Sequence, residues 1–185
     1  MAGDRATFVT FRRGQHNAAI CDSNGARLWR RVGSCSLNIV VVGASNTAGW
    51  GVGAENAFPA QLQSILKERG IDAKVTSAGV IGDTTGGMLR PIDSAVAIKT
   101  DIVILQPGTN DLRFFGSKQQ RATNISAIVD RLRRRNIRVI VFDPVIPRDF
   151  LQWDGIHYTA DAHGKFAKTL AAQIAAGKGP NQKKP

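Results

Sequence analysis

Apolar and polar positions between residues 37 and 176 alternate in two rhythms. Leu37–Val42 is a short β-branched run closed by Gly43, which predicts a buried strand. Phe58–Arg69 sets Leu62, Ile65 and Leu66 on one helical stripe and stops at Gly70. Ala73–Ser77 predicts a second strand. A helix is expected around Pro91–Ile98, with Pro91 in the first turn, where its missing N–H does no harm. Asp101–Gln106 is a third strand, and Ser117–Arg135 places Ile125, Ile128, Val129 and Leu132 at helical spacing. Ile137–Phe142 is a fourth strand, stopped by Pro144 and Pro147. Thr159 then caps a last helix, Ala160–Ala176, with Asp161 in its first turn. Strand and helix repeated at this interval predict an α/β fold, a parallel sheet with helices on both faces. In such sheets chemistry gathers beyond the carboxyl ends of the strands.

The ends of the chain do not share this rhythm. Residues 1–36 lack sustained periodicity and read as a basic extension, flexible or preceded by a misassigned start. Their longest unbroken apolar run, Ala18–Cys21, is too short for the core of a secretory leader, so the cytoplasm is the expected compartment. Residues 178–185 read as a basic, frayed tail, leaving 37–177 as the functional domain. Two cysteines in 185 residues are too few for a disulfide-built scaffold, and no apolar stretch approaches a membrane span.

Charge changes the picture less than its size suggests. The formal excess is +11, but residues 1–36 carry +4 of it, the last eight residues +3, and 37–177 only +4. The densest cluster, Arg131, Arg133, Arg134, Arg135 and Arg138, continues the helical pattern and reads as a solvated helix end. No aromatic residues interleave with it as a single-strand platform requires, so no specific nucleic-acid partner is expected.

The strand ends hold the candidate chemistry. After the first strand comes Gly43-Ala44-Ser45-Asn46-Thr47-Ala48-Gly49. A phosphate loop needs Lys where Trp50 stands, and Gly49, Gly51 and Gly53 miss the dinucleotide spacing. A serine on a tight strand-to-helix turn instead suits attack on a carbonyl. Gly82, after the second strand, can offer a backbone N–H, and Asn110, in Gly108-Thr109-Asn110-Asp111 after the third, a carboxamide, both as oxyanion donors. Asp154 and His157, three apart before the last helix, can place carboxylate and imidazole on one side of a turn. His16 lies in the extension, and His163 sits inside the last helix as a packing or surface residue. Each of these segments has an ordinary structural reading by itself; together they supply nucleophile, donors, base and orienter in order along the chain.

These blocks resemble the GDSL esterase/lipase family, in particular its SGNH-hydrolase branch, over residues 37–176. The resemblance implies a flavodoxin-like three-layer fold. It gives Ser45 the nucleophile's place, Gly82 and Asn110 the oxyanion hole with the Ser45 N–H, and Asp154 and His157 the rest of a triad. It implies an acyl ester or thioester as substrate, with no metal and no cofactor, and export as the alternative compartment. Two departures stand out. Ala44 replaces the family's Asp, removing hydrogen bonds that carboxylate makes to nearby backbone, and only 43 residues separate Asn110 from Asp154. The second predicts a sheet of about four strands and an open substrate cleft. The expected activity is therefore a serine hydrolase of carboxylic esters or thioesters, of the thioesterase, lysophospholipase or arylesterase kind. A carbohydrate deacetylase on the same machinery, or a weakened binding protein on the same fold, are the alternatives.

Overall fold

The computed structural model describes residues 17–21, 27–31, 36–113 and 116–177. The chain divides into two units, Met1–Cys35 and Ser36–Pro185. In the first, β1 (Asn17–Cys21) and β2 (Arg27–Arg31) pair antiparallel, Ala19 opposite Trp29. Strands of five residues, NAAIC and RLWRR, are too short and too irregular to show a period of two, so the sequence gives no sign of them. The rest of the extension, Cys35 and His16 included, and the tail 178–185 lie outside the described residues.

The second unit runs β3 (Leu37–Gly43), α1 (Ser45–Ala48), α2 (Phe58–Glu68), β4 (Ala73–Gly79), α3 (Thr85–Leu89) and α4 (Ile92–Ala95). It continues through β5 (Ile102–Gln106), α5 (Asn110–Arg113), α6 (Lys118–Arg134), β6 (Arg138–Val141) and α7 (Ala160–Ala175). Four strands form one parallel sheet in the order β4-β3-β5-β6. The chain winds outward from β3 to β4, then returns across it to β5 and β6. The loops after β3 and β5 therefore leave in opposite directions, opening a crevice at their carboxyl ends.

The central strands β3 and β5 are buried on both faces, whereas β4 at the edge is largely exposed, and the alternation along the strands sorts side chains into two cores. Ile39, Val41, Ile102, Ile104 and Ile140 face Phe58, Leu62 and Leu66 of α2 and Ala167, Leu170 and Ile174 of α7. Val40, Val42, Val103, Leu105 and Val139 face Met88, Ile92, Ile128, Val129 and Leu132 on α3, α4 and α6. The result is the three-layer α/β/α fold with a four-stranded sheet.

One predicted helix needs correction. The pattern at Pro91–Ile98 gives only the four residues of α4, preceded by α3, which the reading omitted. Gly86 and Gly87 hide α3 from a propensity argument. Gly87 makes room for Asp83, because a Cβ there would meet Asp83 Oδ1 at 1.7 Å and push that side chain aside. Thr84 caps α3 by accepting a hydrogen bond from Gly87 N at 3.2 Å. Members of the arginine cluster close the far ends of these helices: Arg131 donates to Leu89 O at 3.3 Å and Arg135 to Val96 O at 2.6 Å. Asp93 lies 3.7 and 3.5 Å from the same two guanidinium groups. The cluster thus includes cations that complement helix carboxyl ends. Among the described residues no helix is long and apolar enough to cross a membrane.

Candidate active site

Ser45 opens α1 directly beyond the end of β3. The turn is tight because two glycines let α1 sit on the sheet. A Cβ on Gly43 would lie 2.0 Å from Thr47 Oγ1, and one on Gly79 would lie 2.5 Å from Ala48 N. Gly43 O also accepts a hydrogen bond from Val80 N at 3.0 Å, tying the ends of β3 and β4 together. Ala44, where the family's Asp is missing, is buried within the apolar core of Val42, Met88 and Leu105. On the same turn, Thr47 Oγ1 donates to Gln106 Oε1 at 3.2 Å, tying α1 to the end of β5.

His157 and Asp154 meet Ser45 from the loop before α7. His157 Nε2 stands 3.0 Å from Ser45 Oγ, and His157 Nδ1 stands 2.5 Å from Asp154 Oδ2. The loop is not the helical turn that the spacing suggests. It is a narrow hairpin closed by a bridge between Leu151 and Tyr158, with Gln152 N donating to His157 O at 2.7 Å. Within it Asp154 Oδ1 accepts from Ile156 N at 2.9 Å and His157 N at 3.0 Å, the local turn that a short carboxylate side chain favours. Gly155 supplies a φ of 70° at the bend. Hydrogen bonds from the His157 ring and backbone hold the Asp154 carboxyl down at about 2. The pair is sheltered, with side-chain exposures of 15% and 17%. Trp50 leans over the imidazole, its ring centroid 5.6 Å from that of His157.

Gly82 and Asn110 sit at the neighbouring strand ends. Gly82 takes a φ of 77° in the turn where Asp83 N donates to Val80 O, and a Cβ there would meet nothing within 4 Å. Conformation, not crowding, is what calls for glycine at that position. The N–H groups of Ser45 and Gly82 have no hydrogen-bond partner among the described residues. Asn110 Nδ2 donates to Asp83 O at 2.8 Å, which orients the carboxamide and leaves a second N–H on the same nitrogen. Burial pushes the Asp83 carboxyl up. Asp111, the last residue of the third block, is buried and turned away, accepting from Thr85 N at 3.0 Å and Thr85 Oγ1 at 2.5 Å. It locks the loop after β5 to α3. Among the described residues no three His, Cys, Asp or Glu side chains gather as metal ligands do.

His163 belongs to the core. It is fully buried, its ring stacked on Phe58, and burial lowers its pKa to about 4. Sequence reasoning missed Asn46, Trp50 and Gln152, which line or brace the His157 hairpin. Asn46 was the legible one: the family's name spells Leu after the serine, and this chain has Asn.

The model of the GDSL-like lipase/acylhydrolase family matches residues 41–180. The chain belongs to that family. As a GDSL-like acylhydrolase it is 29% identical over 142 residues to an arylesterase of Vibrio mimicus, a match spanning 75% of this chain and 70% of the relative. It is 26% identical over 118 residues to esterase TesA of Pseudomonas aeruginosa, spanning 63% of this chain and 59% of that one. Among solved structures, one of TesA superposes with a TM-score of 0.68 over 75% of this chain and 98% of its own, at 20% identity.

Proposed function

We propose that this GDSL-like acylhydrolase cleaves esters through an acyl-enzyme on Ser45. The line from Ser45 Oγ through His157 to Asp154, at 3.0 and 2.5 Å, carries the reading. His157 Nε2 takes the Ser45 proton as Oγ attacks the acyl carbonyl. The carbonyl electrons move onto its oxygen, which accepts hydrogen bonds from the N–H groups of Ser45 and Gly82 and from the Asn110 side chain. Asp154 keeps the imidazole in the tautomer that accepts this proton and stabilises the imidazolium that follows. On collapse the bond to the leaving group breaks, and His157 donates the proton to the departing alkoxide or thiolate. Water, deprotonated by the same nitrogen, then releases the acid and restores Ser45.

The rim supports an apolar acyl or aryl ester over a sugar acetate. Seven large apolar residues are exposed among the described residues. Six of them lie beyond carboxyl strand ends or in the triad hairpin: Trp50 just after α1, Val80 and Ile81 after β4, Leu112 on the short α5, Val145 after β6 and Trp153 beside Asp154. Of these, Trp50 stands directly beside the base, its ring centroid 5.6 Å from that of His157. The Vibrio mimicus relative, an arylesterase, supports an aryl ester.

The test is labelling with a fluorophosphonate probe, together with hydrolysis of p-nitrophenyl butyrate, phenyl acetate and an acetylated xylo-oligosaccharide. The wild type is expected to label and to prefer the first two esters, and Ser45→Ala is expected to do neither. Undiminished hydrolysis by folded Ser45→Ala overturns the assignment, and a preference for the sugar acetate overturns the substrate class.

A further inference from the structure

A ring of buried polar contacts joins the nucleophile's helix to the base's hairpin without including any member of the triad. Asn46 Oδ1 accepts from Tyr158 N at 2.8 Å, while Asn46 Nδ2 donates to Ile156 O at 3.4 Å. One carboxamide, next to Ser45 in sequence, therefore holds the backbone on both sides of His157. The ring closes through the sheet. Gln106 Nε2 donates to the Tyr158 hydroxyl at 3.3 Å, and Gln106 Oε1 accepts from Thr47 Oγ1 at 3.2 Å, one residue on from Asn46. Asn46, Thr47, Gln106 and Tyr158 are all buried. Gln106 ends β5 in register with Gly43 of β3, so the ring is anchored on the two central strands.

Apart from this ring, two side-chain hydrogen bonds join the hairpin to the segment around α1, while the Tyr158 ring packs on His163 and Phe166 of α7 rather than on α1. Gln152 Nε2 reaches Trp50 O at 3.1 Å, but Gln152 is itself part of the hairpin and Trp50 lies on the exposed loop after α1. The contact between His157 and Ser45 is a single 3.0 Å hydrogen bond that must make and break in each cycle. A misplacement of about 1 Å between reacting groups can cost roughly a hundredfold in rate.

We infer that Asn46 is a positioning residue: its carboxamide fixes the hairpin from residue 156 to 158 so that His157 Nε2 stays within reach of the nucleophile. In this chain the grip on the nucleophile turn sits at residue 46, whereas residue 44, an alanine in the apolar core, supplies none. The inference rests on the serine-esterase reading above.

The experiment compares wild type with Asn46→Leu, which restores the letter of the family's name but removes both hydrogen bonds, and with Asn46→Asp, which keeps the acceptor for Tyr158 N. Steady-state hydrolysis, the fluorophosphonate labelling rate of the folded fraction and Tm are read for each. Asn46→Leu is expected to lower kcat and the labelling rate by roughly 10- to 100-fold, with KM within about threefold of wild type. Asn46→Asp is expected to recover at least tenfold of that loss. Should Asn46→Leu not fold, Asn46→Ser, too short to span both backbone groups, makes the same comparison. A kcat within twofold of wild type in Asn46→Leu overturns the inference, as does Asn46→Asp impaired as deeply as Asn46→Leu. Failure of both Leu and Ser variants to fold overturns it in favour of a purely structural role. Ser45→Ala, run alongside, separates the two levels: activity there removes the serine-esterase reading, whereas an inactive Ser45→Ala beside a normal Asn46→Leu removes only the positioning role.

Discussion

Asp154 holds His157 with both of its oxygens, Oδ1 on the backbone N–H at 3.0 Å and Oδ2 on the ring Nδ1 at 2.5 Å. One carboxylate thus fixes where the residue sits and which ring nitrogen carries the proton. An amide in its place keeps its oxygen on the two backbone N–H groups and turns its NH2 to the ring, favouring the wrong tautomer. Asp154→Asn is expected to lower kcat by about 10²–10⁴ with the fold retained, as tautomer loss does in serine triads. An Asn variant within threefold of wild type would remove Asp154 from the mechanism.

The same contact carries a sign in stability. The Asp154 carboxyl lies at about 2 in the folded chain against 3.8 when unperturbed, so between those values the unfolded state binds the extra proton. Its contribution is complete above about pH 4 and is lost as pH falls toward 2. Tm measured from pH 5 to pH 2 should therefore drop less steeply in Asp154→Asn than in wild type. Parallel curves would contradict the linkage.

Asn110 is oriented by Asp83 O and keeps a second N–H, the donor proposed above for the oxyanion. Removing a single fixed donor of this kind costs about 10²–10³ in kcat. Asn110→Ala should show that loss with KM little changed, since the donor acts on charge that appears only as the transition state forms. A rise in KM at constant kcat would instead mark Asn110 as a ground-state contact.

Much of this was legible because buried parallel strands announce themselves. Runs such as Ile102–Gln106 are apolar on both faces, and each ends at a loop where chemistry can stand. Ser45, Asn110 and the Asp154–His157 pair were found because each lies just beyond such an end or just before a capped helix. What stayed hidden depends on contacts distant in sequence. Asn46 meets Ile156 and Tyr158 only after the sheet has brought residues 110 and 112 positions apart together. α3 is held by a cap and by the packing of Asp83 over Gly87, both of which override its poor helix propensity. Asp154 and His157 do meet, but on a hairpin and not on the helical turn that their spacing suggests.

Gly79 tests how closely α1 must lie on the sheet. A Cβ there would come 2.5 Å from Ala48 N and 2.8 Å from Thr47 C, backbone atoms that no rotamer change can move. Gly79→Ala should cost roughly 1–3 kcal/mol of stability through overpacking. By lifting α1 it should also lower kcat by at least tenfold. A variant with wild-type Tm and wild-type kcat would show that α1 has room to spare.

His163 offers the clearest pH signature outside the site. Its Nδ1 accepts the Phe58 N–H at 3.1 Å at the start of α2, so the proton resides on Nε2, which has no hydrogen-bond partner among the described residues. Protonating Nδ1 would break the Phe58 bond and place a charge in the core, and burial accordingly lowers the pKa from 6.5 to about 4. Between these values the unfolded chain takes up a proton that the folded chain refuses. Stability therefore falls as pH drops from about 6.5, and this contribution levels off below about 4, where both states are protonated. His163→Asn keeps an acceptor for Phe58 N but does not titrate. Its Tm should start lower at pH 7, because a smaller side chain leaves a cavity, and should then fall less than wild type between pH 7 and pH 4. Equal falls in the two proteins would mean that His163 is protonated without cost, and the buried neutral imidazole would have to be given up.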